Sequence, residues 1–144
     1  MSRDKPHDTL FAKPREMIVD FVFDDNVVRV FPDMIRRSVP GYESVITLLG
    51  LFAQEYAQPD TNIYDLGCST GAATLALRRR VTAAGCRLIA VDNAASMTEA
   101  CTRNLANDSG TTPVTVMCAD IQDVAISNAS VIVLNYTLQF IAPE

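Results

Sequence analysis

Histidine is nearly missing from this chain. Among its 144 residues only His7 is present, in a polar opening stretch set apart from every motif described below. Zinc centres and histidine-driven acid–base catalysis therefore have almost no material to work with, and no metal site is expected. Long apolar runs are missing too. No stretch reaches the roughly 18 residues that a membrane-crossing helix needs, so no membrane association is expected. Residues 1–8 are polar, with no signal-peptide core behind them. Paired cysteine spacing is also absent. Cys68, Cys86, Cys101 and Cys118 stand singly and read as reduced thiols of a cytoplasmic protein. Basic charge is in short supply, and the net charge of −5 argues against a large nucleic-acid surface. The 49% of residues that are hydrophobic are enough to bury the core of one domain.

What the chain does have is concentrated in Ile63-Tyr64-Asp65-Leu66-Gly67-Cys68-Ser69-Thr70-Gly71. This reads as a buried strand breaking into a small-residue turn that opens a helix at Ala72-Ala73-Thr74-Leu75-Ala76-Leu77. Glycine permits positive φ and a close approach of ligand to backbone. The amides of such a turn gather at a helix N-terminus. A second apolar strand, Leu88-Ile89-Ala90-Val91, ends in Asp92, 25 residues beyond Gly67. A carboxylate there can hold both hydroxyls of a ribose. A dinucleotide site usually carries a three-glycine turn that cradles a pyrophosphate. Here Ser69 takes the middle position and Asp65 the first. An acid at that point disfavours pyrophosphate and suits a cationic amine, directly or through water. The order resembles the first motif of the Rossmann-like S-adenosylmethionine-dependent transferases.

The remaining elements follow from periodicity. Residues 1–13 read as a loose leader, and Ile18 to Val30 as an acidic-apolar stretch. Asn26–Phe31 begins a short helix that Pro32–Arg37 continues, with Pro32 in its first turn. Ser38-Val39-Pro40-Gly41-Tyr42 breaks it. Glu43–Ala57 has helical spacing, with Val45, Ile46, Leu48, Leu49, Phe52 and Ala53 on one buried face. Strands at 63–66 and 87–91 alternate with helices at about 71–82 and 95–107. Asn93 or Ser96 is the cap candidate for the second of these, Glu99 completing a capping box with Ser96. Strands at 114–118 and 130–135 follow, the last so apolar that it reads as covered on both faces. The fold class is α/β: a mainly parallel Rossmann-like sheet with helices on both faces and an N-terminal helical extension. Residues 1–57 form the tail and helical extension and residues 58–144 the sheet domain. That domain is expected to be cut short after its fourth strand.

Two strand ends extend the ligand argument. After the third strand, Asp120 can accept from the exocyclic amine of adenine, while the Ile121 amide donates to a ring nitrogen and its side chain packs on the ring. Asp120 also reads as an ordinary cap residue. Asn135 stands at the C-terminal edge of the fourth strand, where ligands sit in open α/β sheets, or simply ends the strand.

Three segments together resemble the carboxy-S-adenosyl-L-methionine synthases: Phe31-Pro32-Asp33-Met34-Ile35-x-Arg37-Ser38-Val39-Pro40-Gly41-Tyr42, Tyr64-Asp65-Leu66-Gly67-Cys68-Ser69, and Leu134-Asn135-Tyr136-Thr137-Leu138-Gln139-Phe140. The resemblance runs from about Asp8 to Glu144, and the first and third segments carry it. It implies a transferase that converts S-adenosyl-L-methionine and prephenate into carboxy-S-adenosyl-L-methionine, phenylpyruvate and water. It further implies a homodimer whose product a partner tRNA carboxymethyltransferase uses at wobble uridine. By the same resemblance Tyr42, Gly67, Cys68, Ser69, Asp92, Asn93, Asp120, Ile121 and Asn135 line the cofactor site, beside Asp65.

No catalytic base stands out. The resemblance implies a route in which departing prephenate hydroxide takes the proton from the activated methyl, inside a site that excludes water. Residues 37–42 then serve as a cover. Arg36 and Arg37 read as a solvated helix face. Arg78-Arg79-Arg80 reads as structural, at the cation-favouring end of its helix, rather than as a tRNA contact. Two other readings stay open: an ordinary S-adenosylmethionine-dependent methyltransferase and a non-catalytic cofactor-binding module.

Overall fold

The computed structural model describes residues 25–142; the leader, His7 and the start of the Ile18–Val30 stretch lie outside them. Helices α1 (Asp25–Ser38) and α2 (Tyr42–Tyr56) come first. They are followed by β1 (Asn62–Leu66), α3 (Ala72–Arg80), β2 (Arg87–Asp92), α4 (Ala95–Ala106), β3 (Val114–Cys118) and β4 (Ala129–Val133). The strands pair in parallel in the order β3-β2-β1-β4. This is the Rossmann-like sheet the alternating pattern predicts. The chain steps outward from β1 to β3 and then crosses to the far side of β1. A crevice opens between the ends of β1 and β4 at such a reversal, and it sets the place of the site.

Strand alternation divides the core. Ile63 of β1 joins Leu88 of β2 in one cluster with Ala53 of α2 and Leu77 of α3. Tyr64 and Leu66 point the other way, packing with Val91, Ile121 and Val124. Cys101 of α4 meets Ala90 on the helix-covered face. Among the described residues helices α2, α3 and α4 thus cover one face. The other is covered by residues 119–124 and leaves Met117 and Ile132 exposed. Among the described residues that second face carries the 3-10 turn Ile121–Asp123 as its one helical element. Among the described residues the fourth strand spans Ala129–Val133, lies at the edge of the four-stranded sheet and buries only Val133.

Three further details depart from the sequence pattern. Pro32 lies inside α1, not in its first turn. Val27, Val28 and Phe31 bury a stripe against Met97 and Ala100 of α4, and that burial outweighs an interior proline costing about 3 kcal/mol. In α2, Leu48 and Phe52 are exposed, as are Leu51 and Tyr56, and the buried positions are Gly50 and Ala53. Helices α2 and α3 approach so closely that a Cβ on Gly50 would lie 3.0 Å from the Ala76 carbonyl oxygen. Finally, neither Asn93 nor Ser96 is the N-cap of α4. Ala94 holds that position without a side-chain cap bond, and the Asp92 carboxylate accepts from its amide at 3.0 Å.

Candidate functional site

The turn after β1 is built on left-handed backbone. Gly67 and Gly71 have φ of 86° and 92°, and Ser69 adopts 50°. The Gly67 and Cys68 amides both donate to the Val91 carbonyl, at 2.8 and 2.9 Å, and the Gly71 amide donates to Cys68. The Ser69 amide donates to Asp92 Oδ2 at 2.9 Å. The amides of Gly67, Cys68, Ser69 and Gly71 are thus spent on the protein itself, in keeping with the missing third glycine of a pyrophosphate cradle. A Cβ on Gly71 would lie 2.7 Å from Cys101 Sγ, so only glycine lets α4 approach here.

Asp92 ties two loops together. One oxygen holds the Ser69 amide and the other the Ala94 amide. Each retains a lone pair for a further donor. Asp120 does two things at once, as both of its readings suggest: its Oδ1 caps the 3-10 turn Ile121–Asp123 by accepting from Gln122 at 2.9 Å, and the residue lines the cavity.

That cavity, about 570 Å³, occupies the crevice and lies within the usual range of small-molecule sites. Nine of the ten predicted site residues stand on its wall: Tyr42, Gly67, Cys68, Ser69, Asp92, Asn93, Asp120, Ile121 and Asn135. Asp65 does not. It lies beneath the turn with 1% of its surface exposed, its Oδ2 accepting from Thr74 Oγ1 at 2.6 Å. Its Oδ1 is buried with no hydrogen-bond partner among the described residues. Burial pushes this carboxyl up to about 6, with the Thr74 hydroxyl opposing and the Asp92 charge adding to the rise. A direct contact between Asp65 and a ligand in the cavity is therefore not offered. The orphaned oxygen remains an acceptor for a bridging water.

Sequence reasoning missed the apolar side of the wall, where α1 contributes Phe31, Met34 and Ile35. It also assigned no role to Tyr136 and Thr137. Tyr136 has φ 53° and places its ring 6.1 Å from that of Tyr42. Burial, then the charges of Asp65 and Tyr136, raise the Tyr42 hydroxyl's pKa. Cys68 Sγ donates to the Ser69 carbonyl at 3.7 Å, and the neighbouring Cys101 thiol together with burial keeps the Cys68 thiol protonated far above its ordinary range. Cys68 is therefore a wall residue and no nucleophile. Cys118 is the one exposed thiol of the four.

Of the presumed cover, Val39 and Tyr42 reach the cavity. Arg36 pairs with Glu43 at 2.7 Å and Arg37 with Asp33 at 3.4 Å, both on the exposed face. Arg78 donates to the carbonyls of Thr112 and Leu105, and Asp108 pairs with Arg78 and Arg79, which makes this pair structural. Among the described residues no helix is long and apolar enough to cross a membrane.

Residues 63–144 match a family described as a methyltransferase domain. The chain is 55% identical over 139 residues to a carboxy-S-adenosyl-L-methionine synthase of Vibrio cholerae, covering 96% of this chain and 56% of that protein. Proteins of the same name from Shewanella pealeana and a Geobacter species are each 57% identical over 95% of this chain, with 56% and 57% of their lengths covered. The chain thus spans little more than half the length of these relatives. A crystal structure of a candidate S-adenosyl-L-methionine-dependent methyltransferase from Methanococcus maripaludis superposes with a TM-score of 0.67. It is 17% identical and covers 88% of this chain and 56% of that one, which speaks for the fold.

Proposed function

Because the chain belongs to the methyltransferase-domain family, we propose that it carries the cofactor site of a carboxy-S-adenosyl-L-methionine synthase. The observation that carries the reading is 55–57% identity to synthases of that name over nearly all of this chain. Its cofactor is S-adenosyl-L-methionine. The co-substrate is prephenate, the products are carboxy-S-adenosyl-L-methionine and phenylpyruvate, and a tRNA carboxymethyltransferase consumes the former. The enzyme works as a homodimer in the cytoplasm and makes no direct contact with nucleic acid.

The wall chemistry fits this ligand. Asp92 accepts from the ribose hydroxyls with the lone pairs its two amide bonds leave over. Asp120 takes the adenine amine, and Ile121 packs on the ring. Beneath the turn, the orphaned Asp65 oxygen faces the ammonium through a water, which lowers the cost of its buried charge. Bound S-adenosyl-L-methionine supplies a sulfonium that acidifies the methyl group. The chain's part is to orient that methyl and keep it dry. Met34, Ile35, Val39 and Tyr42 exclude water on one side, and Tyr136 closes on Tyr42 from the other. No wall carboxylate is placed as a general base: Asp92 is held by two amides, and Asp65 lies behind the turn. The proton is therefore assigned to prephenate's departing hydroxide.

Mass spectrometry tests the reading. The chain is incubated with S-adenosyl-L-methionine and prephenate, then denatured to release what it holds. A released species heavier than S-adenosylhomocysteine by a carboxymethyl group is the expected result. S-adenosyl-L-methionine or S-adenosylhomocysteine alone would favour ordinary methyl transfer. An empty protein would overturn the claim that these residues suffice to build the site. Deleting residues 1–42 should abolish product formation, and retained turnover would remove the cover from the mechanism.

A further inference from the structure

The geometry points to Thr137 as a positioning residue, a latch that clamps the loop after β4 onto the turn after β1 and so sets Asn135 and Tyr136 at the cavity mouth. Its hydroxyl donates to the Leu66 carbonyl at 2.7 Å, with the Asn135 carbonyl at 3.4 Å as the alternative acceptor. The two loops are 71 residues apart in sequence. This bond therefore joins the two sides of the crevice at the end of β1, where the sheet ladder has stopped.

The fit is close. A Cβ on Gly67 would lie 2.7 Å from Thr137 Cγ2, so the glycine turn and the threonine occupy complementary space. Thr137 then opens the 3-10 turn Leu138–Phe140, its carbonyl accepting from the Phe140 amide at 3.0 Å. Between these anchors Tyr136 is held at φ 53°, a conformation that a bulky residue keeps only when its surroundings impose it. That backbone aims the ring at Tyr42, 6.1 Å away on the opposite side of the mouth. Without the hydroxyl, Tyr136 is free to relax to negative φ, and its ring leaves Tyr42.

This inference rests on the reading that the cavity takes an S-adenosyl ligand, and the test separates the two. Thr137→Val keeps the shape and removes the donor; Thr137→Ser keeps the donor. Hydrogen exchange of residues 134–140 without ligand reads the latch directly, and calorimetric titration with S-adenosylhomocysteine reads its effect on the site. Thr137→Val should speed exchange at 134–140 and weaken binding about five- to tenfold, the worth of one hydrogen bond to a loop. Thr137→Ser should stay near the parent in both. Tyr136→Asn, which tolerates left-handed backbone, should weaken binding while leaving exchange unchanged. Should Thr137→Val not fold, Thr137→Ala carries the same test. Parent-like exchange in the valine variant, or a serine variant as impaired as the valine one, would overturn the latch. A parent chain that binds no S-adenosylhomocysteine would overturn the ligand reading, while exchange would still decide the latch.

Discussion

The two ends of this sheet are made from similar polar residues and treat them in opposite ways. At the end where the strands begin, Asp108 pairs with Arg78 and Arg79 and takes the Gly110 amide, and Arg78 also closes two carbonyls. Burial pushes the Asp108 carboxyl up, but the Arg79 hydrogen bond, the Gly110 amide and the two guanidinium charges outweigh it and hold its pKa below the ordinary value. At the end where the strands finish, Asp65 is buried with no cation against it and one oxygen unpartnered among the described residues, and its pKa is raised to about 6. Left-handed backbone occurs at both ends: at Gly67, Ser69, Gly71 and Tyr136 here, and at Asp60, Gly85 and Asn128 where the strands begin. One end is settled by its own contacts. The other holds an unanswered charge, which is what a pre-organised binding site looks like before its ligand arrives.

The sharpest way to break this comparison is Gly67→Ala. A side chain at φ 86° against Thr137 should cost about 2–4 kcal/mol in denaturant unfolding. It should also abolish S-adenosylhomocysteine binding by calorimetry; a neutral result would remove the strain from the strand-finishing end.

Next in size comes the pH dependence of Asp65. Its folded pKa of about 6 lies above the reference of 3.8. The folded chain therefore binds the extra proton, and stability is greatest below about pH 4. It falls as pH rises through 6, by about 3 kcal/mol in total. Unfolding series in Asp65→Asn should lack that slope. With a cationic S-adenosyl ligand bound, the parent's slope should shrink.

At the opposite end the sign reverses. Asp108→Asn should lose about 1–2 kcal/mol at pH 7, and the difference from the parent should vanish as pH falls through the depressed Asp108 pKa. Ligand affinity should not move, since Asp108 is remote from the cavity wall. The smallest effect belongs to the exposed Arg36–Glu43 pair: Glu43→Ala should shift thermal unfolding by no more than about 0.5 kcal/mol.

How much of this was readable beforehand depended on how local the cause was. The glycine turn, Asp92 and Asp120 could be placed because a strand period, a left-handed turn and a strand-end carboxylate are each written in a few adjacent residues. Pro32 was misplaced because what holds it inside α1 is Phe31 and Val28 packing on α4, some 70 residues away in sequence. In α2 the close approach to α3 made Gly50 and Ala53 the contact stripe and left Leu48 and Phe52 outside. Asp65 was recognised as important, yet its distance from the wall depends on β1 turning that side chain toward Thr74 of α3. Thr137 was visible only as part of a motif. Its role lies in a bond across 71 residues that no periodicity encodes.

Cys118 offers a practical opening. It is the one exposed cysteine, it ends β3 two residues before Asp120, and its sulfur lies 3.8 Å from the carbonyl of Asn93, a wall residue. The other three thiols are buried, so a maleimide dye should attach at a single rim position without mutagenesis. Such a labelled chain would serve as an optical reporter of occupancy, turning every variant above into a titration read by fluorescence.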